Sequence, residues 1–473
     1  AMSKVCLVGV GTPSFLSARV HTGPSLRTTH FACALAAAGH EVSVIYTSSS
    51  AHPGLAPAFG VKPLGQGGAV AGCLEVDEKN FDGPRLRSFV DESGFDAIVG
   101  VTAYAAALVA RLRLGLPFWA DVFGDPMAEA QAKAAATGND ATLVRFWSML
   151  GPVLEKADRF SAVSKAQSHA LVGQLGLAGR LCASTAGQAL VEVIPCAAAT
   201  VGRHGQDSHH DQDDLVSSLP NFPPADSFVV LWSGSFNTWC DVEGLFAGLS
   251  EAMETEPSIH FVATGAGVEG HDEDSYRRFS SLVAASRYSH RFHLYGWVES
   301  QALPACYDRA DVGVVFEHDL YERRLGSENR VVQWMAAGLP SVSTGLSELG
   351  ACLRARDLAF ACSHGEPSSL AHTLVELAGD RRRVAAVGLA CRSYAERYFS
   401  FDATARPLLD WCAAPVRAAD SGRQRPLSIG LFSEPAAVVH LLEAYLAGLG
   451  LGQVLYRSLR WMGRRLLGRG LRT

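Results

Sequence analysis

The chain has 473 residues and a mass of 50.3 kDa, so it is long enough for two large domains, each with its own hydrophobic core. Hydrophobic residues make up 48% of it and charged residues 19%, which excludes a wholly disordered chain, a coiled coil and a collagen-like fibre. The net charge of −6 at pH 7 gives the protein as a whole no basic surface, so we expect no nucleic acid as a partner.

The cysteines and the apolar segments indicate the cellular compartment of the protein. Its 11 cysteines include no CxxC pair, which is typical of buried thiols in a reducing compartment, and we expect a cytoplasmic protein. No run of 18 apolar residues and no signal-peptide pattern occurs in the sequence. The sequence therefore predicts no membrane-spanning segment.

Strand-like and helical segments alternate along the first part of the chain. A helical pattern over residues 25–38 lies between two apolar runs, and further runs end in glycine or aspartate. The strand-like runs are residues 5–11, 41–46, 96–101 and 117–121. Because this alternation is typical of a parallel, doubly wound sheet, we predict a Rossmann-like domain over residues 1–198.

A change of composition marks the end of this domain. Residues 199–226 are polar, acidic and rich in proline, which predicts a linker or a mobile insertion. A second alternating series then begins and predicts another Rossmann-like domain over residues 227–412, closed by a helix at about 402–411. Residues 413–473 are expected to be a helical extension with a basic tail. The fold class is therefore α/β, with two doubly wound domains facing a central cleft.

Loops that follow strands carry the candidate binding residues, because ligands of such sheets bind at the carboxyl ends of the strands. In the first domain, Gly23 and Arg27 begin a helix and form a candidate anion site, with a tight turn and a surface arginine as the alternative. In the second domain, Ser235, Asn237 and Thr238 offer hydroxyl and amide groups to phosphate or sugar oxygens, or to a helix N-terminus.

The second domain also carries a cationic segment. Residues 323–330 contain three arginines and lead directly into a helix. Arginines and a helix N-terminus both attract negative charge, so this segment predicts an anion site, and a solvated charge run is the alternative. Gly265, at the end of a strand-like run, completes the candidate residues of this domain.

A cluster of histidines and aspartates lies in the polar segment between the domains. Three histidines and four aspartates fall between residues 204 and 214, but their spacing matches no standard set of metal ligands. We interpret the cluster as part of the linker and expect no metal site.

Five segments together resemble family 4 glycosyltransferases, the retaining GT-B enzymes that transfer a sugar from a nucleotide diphosphate. The strongest is LGSENRVVQWMAAGLPSV, which is similar to the family's S-P-x-K-x-x-E-Y-M-A-x-G-x-P-V element. The others are VIPCAAA, ADRFSAVS, GWVESQALPACYDRADVGV and GPSLRTTHFACALAAAGHEVSVI. The resemblance covers roughly residues 4–412 and implies that the first domain binds the acceptor and the second the nucleotide sugar donor.

The resemblance also implies roles for the cationic segment. Ser327 and Asn329 would lie beside the donor diphosphate, and Arg330 would take the place of the family's lysine. Gln333 would occupy the position of the glutamate that binds the nucleotide ribose. As a neutral group, it would make weaker hydrogen bonds than a carboxylate.

Two basic residues of the family are absent from the first loop of the second domain. Ser235 and Cys240 stand near their places. The countercharge of the diphosphate is therefore assigned to Arg330, with Arg323 or Arg324 assisting.

The acceptor wall offers three carboxylates after a strand, those of Asp121, Asp125 and Glu129. Asp121 or Asp125 could accept the acceptor's proton or bind sugar hydroxyls, and capping of a helix is an equal expectation for Asp125, which precedes Pro126. The resemblance implies a front-face mechanism in which the leaving diphosphate helps to deprotonate the acceptor. Arg330 is then a catalytic residue because it stabilises the leaving group. Apart from the donor, no cofactor or metal is expected.

The last residues of the chain are basic and partly apolar. Residues 455–473 contain six arginines and no acid, interspersed with leucines and a tryptophan. This composition predicts an amphipathic helix on anionic lipid at the inner face of the cell membrane, with packing on the acidic body of the protein as the alternative. A membrane contact would favour a lipid-linked acceptor over a free glycan or a small natural product.

Other functions stay open at this point. A nucleotide-sugar epimerase of the same fold would act on the sugar nucleotide alone. A non-catalytic sugar-nucleotide-binding protein or scaffold would bind without turnover. A dehydrogenase is disfavoured, because neither domain shows GxGxxG between a strand and a helix with an acidic residue about 20 positions further on.

Overall fold

The structure, a computed structural model, describes residues 2–16, 21–47, 62–64, 68–76, 81, 84–199, 219 and 221–422. The described residues form two β-sheets with helices packed against them. The predicted histidine and aspartate cluster at 204–214 and the basic tail at 455–473 lie outside the described residues. Among the residues described, no helix is both long and apolar enough to cross a membrane.

The first sheet contains the strands β1 Lys4–Val10, β2 Glu41–Thr47, β3 Lys62–Leu64, β4 Gly68–Val76, β5 Ala97–Val101, β6 Phe118–Val122, β7 Arg159–Ala162 and β8 Val191–Val193. Its helices are α1 Gly23–Ala37, α2 Pro84–Glu92, α3 Ala103–Leu112, α4 Pro126–Thr137, α5 Ala141–Lys156 and α6 Lys165–Leu177, with a 3₁₀ turn at Ala183–Thr185. The strand order is β3-β4-β2-β1-β5-β6-β7-β8, and all neighbouring strands are parallel except β3 and β4.

Both faces of this sheet are covered. Side chains of β1 alternate between two cores, with Cys6 and Val8 in one and Val5 and Leu7 in the other. Because no face of the central strands meets water, they are continuous apolar runs and do not alternate with polar residues. This is why the sequence pattern predicted parallel strands.

The second sheet contains β9 Phe228–Ser233, β10 Ile259–Thr264, β11 Phe292–Leu294, β12 Val312–Val315, β13 Ser341–Ser343 and β14 Ala359–Ala361. Its helices are α7 Val242–Thr255, α8 Asp274–Ala284, α9 Leu303–Asp308, α10 Tyr321–Leu325, α11 Asn329–Ala337, α12 Glu348–Arg354, α13 Pro367–Gly379 and α14 Arg381–Tyr398, with 3₁₀ turns at Ser289–Arg291 and Ser300–Ala302. All its strands are parallel, in the order β11-β10-β9-β12-β13-β14. The predicted α/β fold with two doubly wound sheets is confirmed.

The last described helix, α15 Phe401–Ala413, returns to the first domain. Its Leu408 and Trp411 belong to the same core as Phe31 of α1, and the indole rings of Trp411 and Trp119 lie 5.4 Å apart between centroids. The sequence pattern placed this helix at the end of the second domain. The structure differs because the apolar face of α15 is buried by α1 and the first sheet.

The segment after α15 stays on the first domain. The backbone N–H of Ala418 donates to Asp158, and Asp420 forms a buried ion pair with Arg180, with 2.6 Å between Oδ2 and Nε. The chain therefore crosses between the domains twice, once before β9 and once before α15.

Candidate active site

A cleft of about 510 Å³ lies between the carboxyl ends of the two sheets. One wall is formed by the loops after β1 and β6 and the N-terminus of α1, and the other by the loops after β9, β10 and β12 and the N-terminus of α11. The two walls touch beside the cleft, where the hydroxyl of Ser164 donates to the backbone carbonyl of Leu325 at 2.7 Å. Loops of both domains therefore surround one shared space, as expected for ligand sites of open α/β sheets.

Arg330, the second residue of α11, lines this cleft. Its guanidinium stacks on Trp232, 4.2 Å from the ring centroid, and Nη2 donates to the backbone carbonyl of Ser235 at 2.7 Å. Nη1 is buried and has no hydrogen-bond partner among the described residues. Burial lowers the pKa of Arg330 below its ordinary value, but an arginine stays charged at neutral pH. The cleft therefore contains a fixed cation with an unused donor.

Three further residues predicted in this segment also line the cleft. Ser327, Asn329 and Gln333 face it from the start of α11. The amide Nε2 of Gln333 donates to the backbone carbonyl of Ala197 at 3.0 Å, so one of its two N–H groups is used within the protein and its Oε1 faces a ligand as an acceptor. Its hydrogen-bonding capacity is thus narrower than the sequence suggested.

Gly23 brings the first wall close to α11. It begins α1 and lines the cleft, and a Cβ at this position would lie 3.4 Å from Nδ2 of Asn329. The N-cap Thr22 accepts from the N–H of Ser25, and the Ser25 hydroxyl accepts from the N–H of Thr22. A capped helix N-terminus therefore lies at the cleft beside the donor wall.

The loop after β9 supplies two of its three predicted residues. Ser235 and Asn237 line the cleft, and Asn237 donates from Nδ2 to the Ser235 hydroxyl at 3.0 Å, while its buried Oδ1 has no partner among the described residues. Thr238 does not line the cleft, because its hydroxyl donates to Asp272 at 2.9 Å.

Gly265 shapes the same loop without lining the cleft. A Cβ at Gly265 would lie only 1.9 Å from the backbone oxygen of Gly234, so no other residue fits where the loops after β9 and β10 approach each other. The structure corrects the predicted ligand contact to a structural role.

Arg27 and Asp121 are brought together, but not as cleft residues. Both are almost fully buried, and Arg27 donates from Nε and Nη2 to the two carboxylate oxygens of Asp121 at 3.0 and 2.8 Å. The remaining Arg27 donors bind the backbone carbonyls of Ile194 and Pro195, and Ser161 donates to Asp121. The predictions that Arg27 binds an anion and that Asp121 accepts a proton are therefore corrected. The pair joins α1, β6 and the segment after β8 in the first domain.

Asp125 lines the cleft as the N-cap of α4. Its Oδ1 accepts from the N–H groups of Met127 and Ala128, and its Oδ2 accepts from Gln174 at 2.8 Å. Since both oxygens are occupied, the structure favours the capping interpretation over a role as base.

The two arginines expected to assist Arg330 have other partners. Arg324 is exposed, pairs with Asp319 and does not line the cleft, which corrects its predicted donor contact. Arg323 does line the cleft, but Glu317 and Glu322 enclose its guanidinium. Among the residues described, Arg330 is thus the guanidinium in the cleft without a carboxylate partner.

Two family models match the two domains. The model of glycosyl transferases group 1 matches residues 227–380, and that of the glycosyl transferase 4-like domain matches residues 22–183. The chain belongs to the family 4-type glycosyltransferases of GT-B fold. The family predicted from the sequence is therefore confirmed. The alternatives of an epimerase and of a non-catalytic binding protein are not favoured.

Solved structures of GT-B glycosyltransferases share the fold. The sucrose-phosphate synthase of Thermosynechococcus elongatus is 17% identical with a TM-score of 0.62, covering 86% of this chain and 97% of that one. Anabaena Alr3699/HepE in complex with UDP and glucose is 16% identical with a TM-score of 0.59, covering 87% and 99%. The α,α-trehalose 6-phosphate synthase of Burkholderia multivorans is 12% identical with a TM-score of 0.55, covering 87% and 98%. No curated protein matches the sequence.

The glycosyltransferase cleft contains further charged residues, of which the sequence analysis missed Glu317, Glu322 and His271. Glu129 lies on α4, and Glu317 and Glu322 lie in the segment after β12. His271 faces Glu129 across the cleft, with 3.8 Å between its Nδ1 and Oε1 of Glu129. Glu129 follows the N-cap Asp125 by one helical turn, and Glu317 could have been identified because it follows a strand of the donor domain.

Burial shifts the pKa values of these groups. It raises the pKa of Glu129 to about 7 and that of Glu317 to about 7. Burial and the neighbouring Lys133 lower the pKa of His271 to about 4, so its imidazole is neutral at physiological pH. The cleft therefore has carboxyl groups that titrate near neutral pH.

Proposed function

We propose that the protein is a retaining glycosyltransferase that moves a sugar from a nucleotide diphosphate sugar to a hydroxyl group of an acceptor. The observation that carries the proposal is the unused Nη1 donor of Arg330, a buried cation in the cleft between the two domains. A buried guanidinium of this kind is stabilised by an anion, and a diphosphate can accept its free N–H groups.

The same geometry supports the chemistry of the leaving group. As the bond between the sugar's anomeric carbon and the diphosphate oxygen breaks, negative charge grows on the diphosphate. Arg330 is held by Trp232 and Ser235, so its charge is already oriented for this moment. The acceptor hydroxyl attacks the face that the diphosphate leaves, and the leaving oxygen takes its proton. The configuration at the anomeric carbon is then retained.

A protein base is not needed in this proposal. The carboxylates of Asp121 and Asp125 are occupied by hydrogen bonds within the first domain. Stabilisation of the diphosphate therefore carries the catalysis, with Ser327 and Asn329 beside Arg330 as further donors and Oε1 of Gln333 as the acceptor for the ribose.

Binding of nucleoside diphosphates tests the donor site. We expect one of UDP, GDP, dTDP, ADP and CDP to raise the melting temperature above the others, since a ligand at 100 times its Kd stabilises by about 2.7 kcal/mol. UDP is the first probe, because the related structures include complexes with UDP and UDP-glucose. Failure of every nucleotide and its sugar conjugates to stabilise the protein would contradict the proposal.

The products test the type of reaction. Proton NMR of the glycoside formed from an α-linked donor sugar should show an α-linkage, and a β-linkage would contradict retention. An epimerised sugar nucleotide in the absence of acceptor would contradict transfer.

The nature of the acceptor stays open between a glycan, a lipid-linked glycan and a small natural product. For the lipid-linked class, co-sedimentation of the full chain with anionic vesicles tests the predicted membrane contact of residues 455–473.

A further inference from the structure

The cleft carries more negative than positive side chains. Its lining includes the guanidinium groups of Arg323 and Arg330, and it includes the carboxylates of Asp125, Glu129, Glu317, Glu322 and Glu328. A diphosphate would add further negative charge to this space. A positive group on a substrate would therefore improve the charge balance of the cleft.

Two of the carboxylates have clear structural roles. Asp125 caps α4 and accepts from Gln174, as described above. Glu328 accepts from the hydroxyl of Ser347 at 2.6 Å, which ties the start of α11 to the start of α12. The remaining carboxylates, Glu129, Glu317 and Glu322, are called the acidic pole from here on.

Arg323 neutralises only part of the acidic pole. Its Nη1 donates to Oε1 of Glu317 at 3.1 Å, and its Nε and Nη2 donate to Glu322, so one guanidinium serves two carboxylates. The residue is only 4% exposed, and Oε2, its second carboxylate oxygen, is buried without a hydrogen-bond partner among the described residues. A buried, unpaired carboxylate oxygen at the edge of a ligand cleft indicates a missing donor.

Glu129 extends the acidic pole to the first domain. Its carboxylate lies 3.7 Å from Nζ of Lys133, which is itself hydrogen-bonded to the backbone oxygen of His271. Burial is the main cause of the raised pKa of Glu129, and the nearby Glu322 raises the pKa of Glu129 further. The pole thus has carboxyl groups on both walls of the cleft.

We propose that the acidic pole binds a protonated amino group of a substrate, so that the enzyme acts on an amine-bearing carbohydrate or polyol. The amine could belong to the transferred sugar or to the acceptor, because the pole spans both walls. This inference rests on the proposed glycosyltransferase function. An ammonium group supplies both the positive charge that the cleft lacks and the N–H donor that Oε2 of Glu317 lacks.

Amine binding should strengthen as pH rises. Glu317 faces Arg323, Arg330, Glu322 and Glu328, and burial is the main cause of its raised pKa. Glu129 faces Lys133, His271, Glu322 and Arg323 from α4 and from the second domain. Both carboxyl groups lose their protons as pH rises towards about 7, so the pole becomes more negative, while the ammonium of an amino sugar loses its proton only above neutral pH.

The test compares amines with their neutral counterparts by isothermal titration of the full chain. In the acceptor arm, glucosamine, glucose and N-acetylglucosamine are titrated into the protein alone and into the protein saturated with the nucleoside diphosphate that stabilises it best. In the donor arm, UDP-glucosamine is compared with UDP-glucose and UDP-N-acetylglucosamine. If another nucleoside diphosphate stabilises the protein better than UDP, the same three sugars are compared as its conjugates. We expect at least tenfold tighter binding of the amine in one arm, and the arm identifies which substrate carries it.

Variants connect the preference to the acidic pole. Glu317→Gln keeps the shape of the side chain and should reduce the amine preference to less than threefold, and Glu129→Gln provides the same test from the other wall if the first variant folds poorly. Glu396→Gln, an exposed change on α14, is the matched control and should keep the full preference. The preference should also fall at least threefold between pH 7 and pH 5 in the wild type, a range in which the carboxyl groups gain protons and the ammonium of the amino sugar stays charged.

Several results would overturn the inference. Equal affinity for amine and neutral sugar in both arms would do so, as would an unchanged amine preference in both pole variants. Binding that requires Mg²⁺ and does not distinguish the sugars would assign the missing charge to a metal ion instead. Because the acceptor arm also runs without nucleotide, an amine preference can survive the loss of the donor proposal, and nucleotide binding can survive the loss of the amine preference.

Discussion

Replacing Arg330 by glutamine removes the unpaired cation from the cleft while keeping a polar, though shorter, side chain. The guanidinium now stacks on Trp232 and donates to the carbonyl of Ser235, which leaves Nη1 for a ligand. Glutamine carries no charge and cannot place a donor where Nη1 lies. Arg330→Gln should therefore weaken binding of a nucleoside diphosphate and leave binding of the matching nucleoside nearly unchanged.

The size of the loss follows from the single contact that disappears. A hydrogen bond to a charged group contributes about 1.5–3 kcal/mol, which corresponds to about 10- to 150-fold in Kd. The change also removes a cation–π contact of about 0.5–2 kcal/mol, so some loss of stability is expected. Part of this loss of stability is offset, because the variant has no buried charge that must be desolvated on folding.

The assay is isothermal titration of wild type and variants with a nucleoside diphosphate and its nucleoside, at a temperature where melting curves show all of them folded. Arg324→Gln is the matched control from the same segment. Arg324 is 58% exposed and pairs with Asp319, so its loss should change Kd less than twofold. The assignment would be refuted if folded Arg330→Gln bound the diphosphate within twofold of wild type, or if it lost the nucleoside to the same extent.

Four further predictions follow from the geometry. Gln333→Glu should lower the free energy of unfolding by about 1–3 kcal/mol in urea titrations, because a carboxylate oxygen would replace the amide donor facing a backbone carbonyl; unchanged stability would contradict this. Leu408→Ala, in α15, should cost about 2–5 kcal/mol and melt the first domain earlier, as measured by calorimetry, whereas a loss confined to the second domain would contradict the packing of α15. Asp121→Asn should cost about 3–5 kcal/mol because Arg27 loses its buried partner, but turnover per folded molecule should stay within threefold, and a hundredfold loss of turnover in a folded variant would make Asp121 a base. Burial holds the pKa of His30 well below 6.5, so its neutral imidazole adds to the free energy of unfolding above that pH, and this contribution is lost as pH falls towards the folded-state pKa. From pH 7 to pH 5 the melting temperature of His30→Gln should therefore fall less than that of wild type. Equal slopes for the two proteins would contradict this.

Local patterns made much of the donor wall predictable. Ser327, Asn329, Arg330 and Gln333 lie within seven consecutive residues, so their location at the start of one helix follows from helix signals and from the resemblance to the family. The parallel sheets were predictable for the same reason, since buried strands form continuous apolar runs. Features that depend on short stretches of chain could be predicted from the sequence.

Contacts between distant parts of the chain could not be predicted in this way. Arg27 and Asp121 are 94 residues apart, and only the assembled sheet shows that they neutralise each other. Likewise, Arg324 and Arg323 have the same charge and adjacent positions, but one is exposed and the other is enclosed by two glutamates. Sequence patterns identify the charge of a side chain, whereas its partners depend on tertiary packing.

Docking of α15 on the first domain shows the same limit. The apolar residues of the helix predict that one face is buried, but they do not specify which domain buries it. Trp411 meets Trp119 and the core of α1, so the chain returns to its first domain after completing the second. This return explains why the predicted domain boundary at residue 412 and the observed packing differ.

The most direct test of the account is a crystal structure of the protein with the nucleoside diphosphate that stabilises it best. The account predicts a diphosphate oxygen within about 3 Å of Nη1 of Arg330, with the phosphates between the N-termini of α1 and α11. A diphosphate bound elsewhere, with Nη1 of Arg330 still lacking a partner, would contradict the central claim that this buried cation forms the donor site.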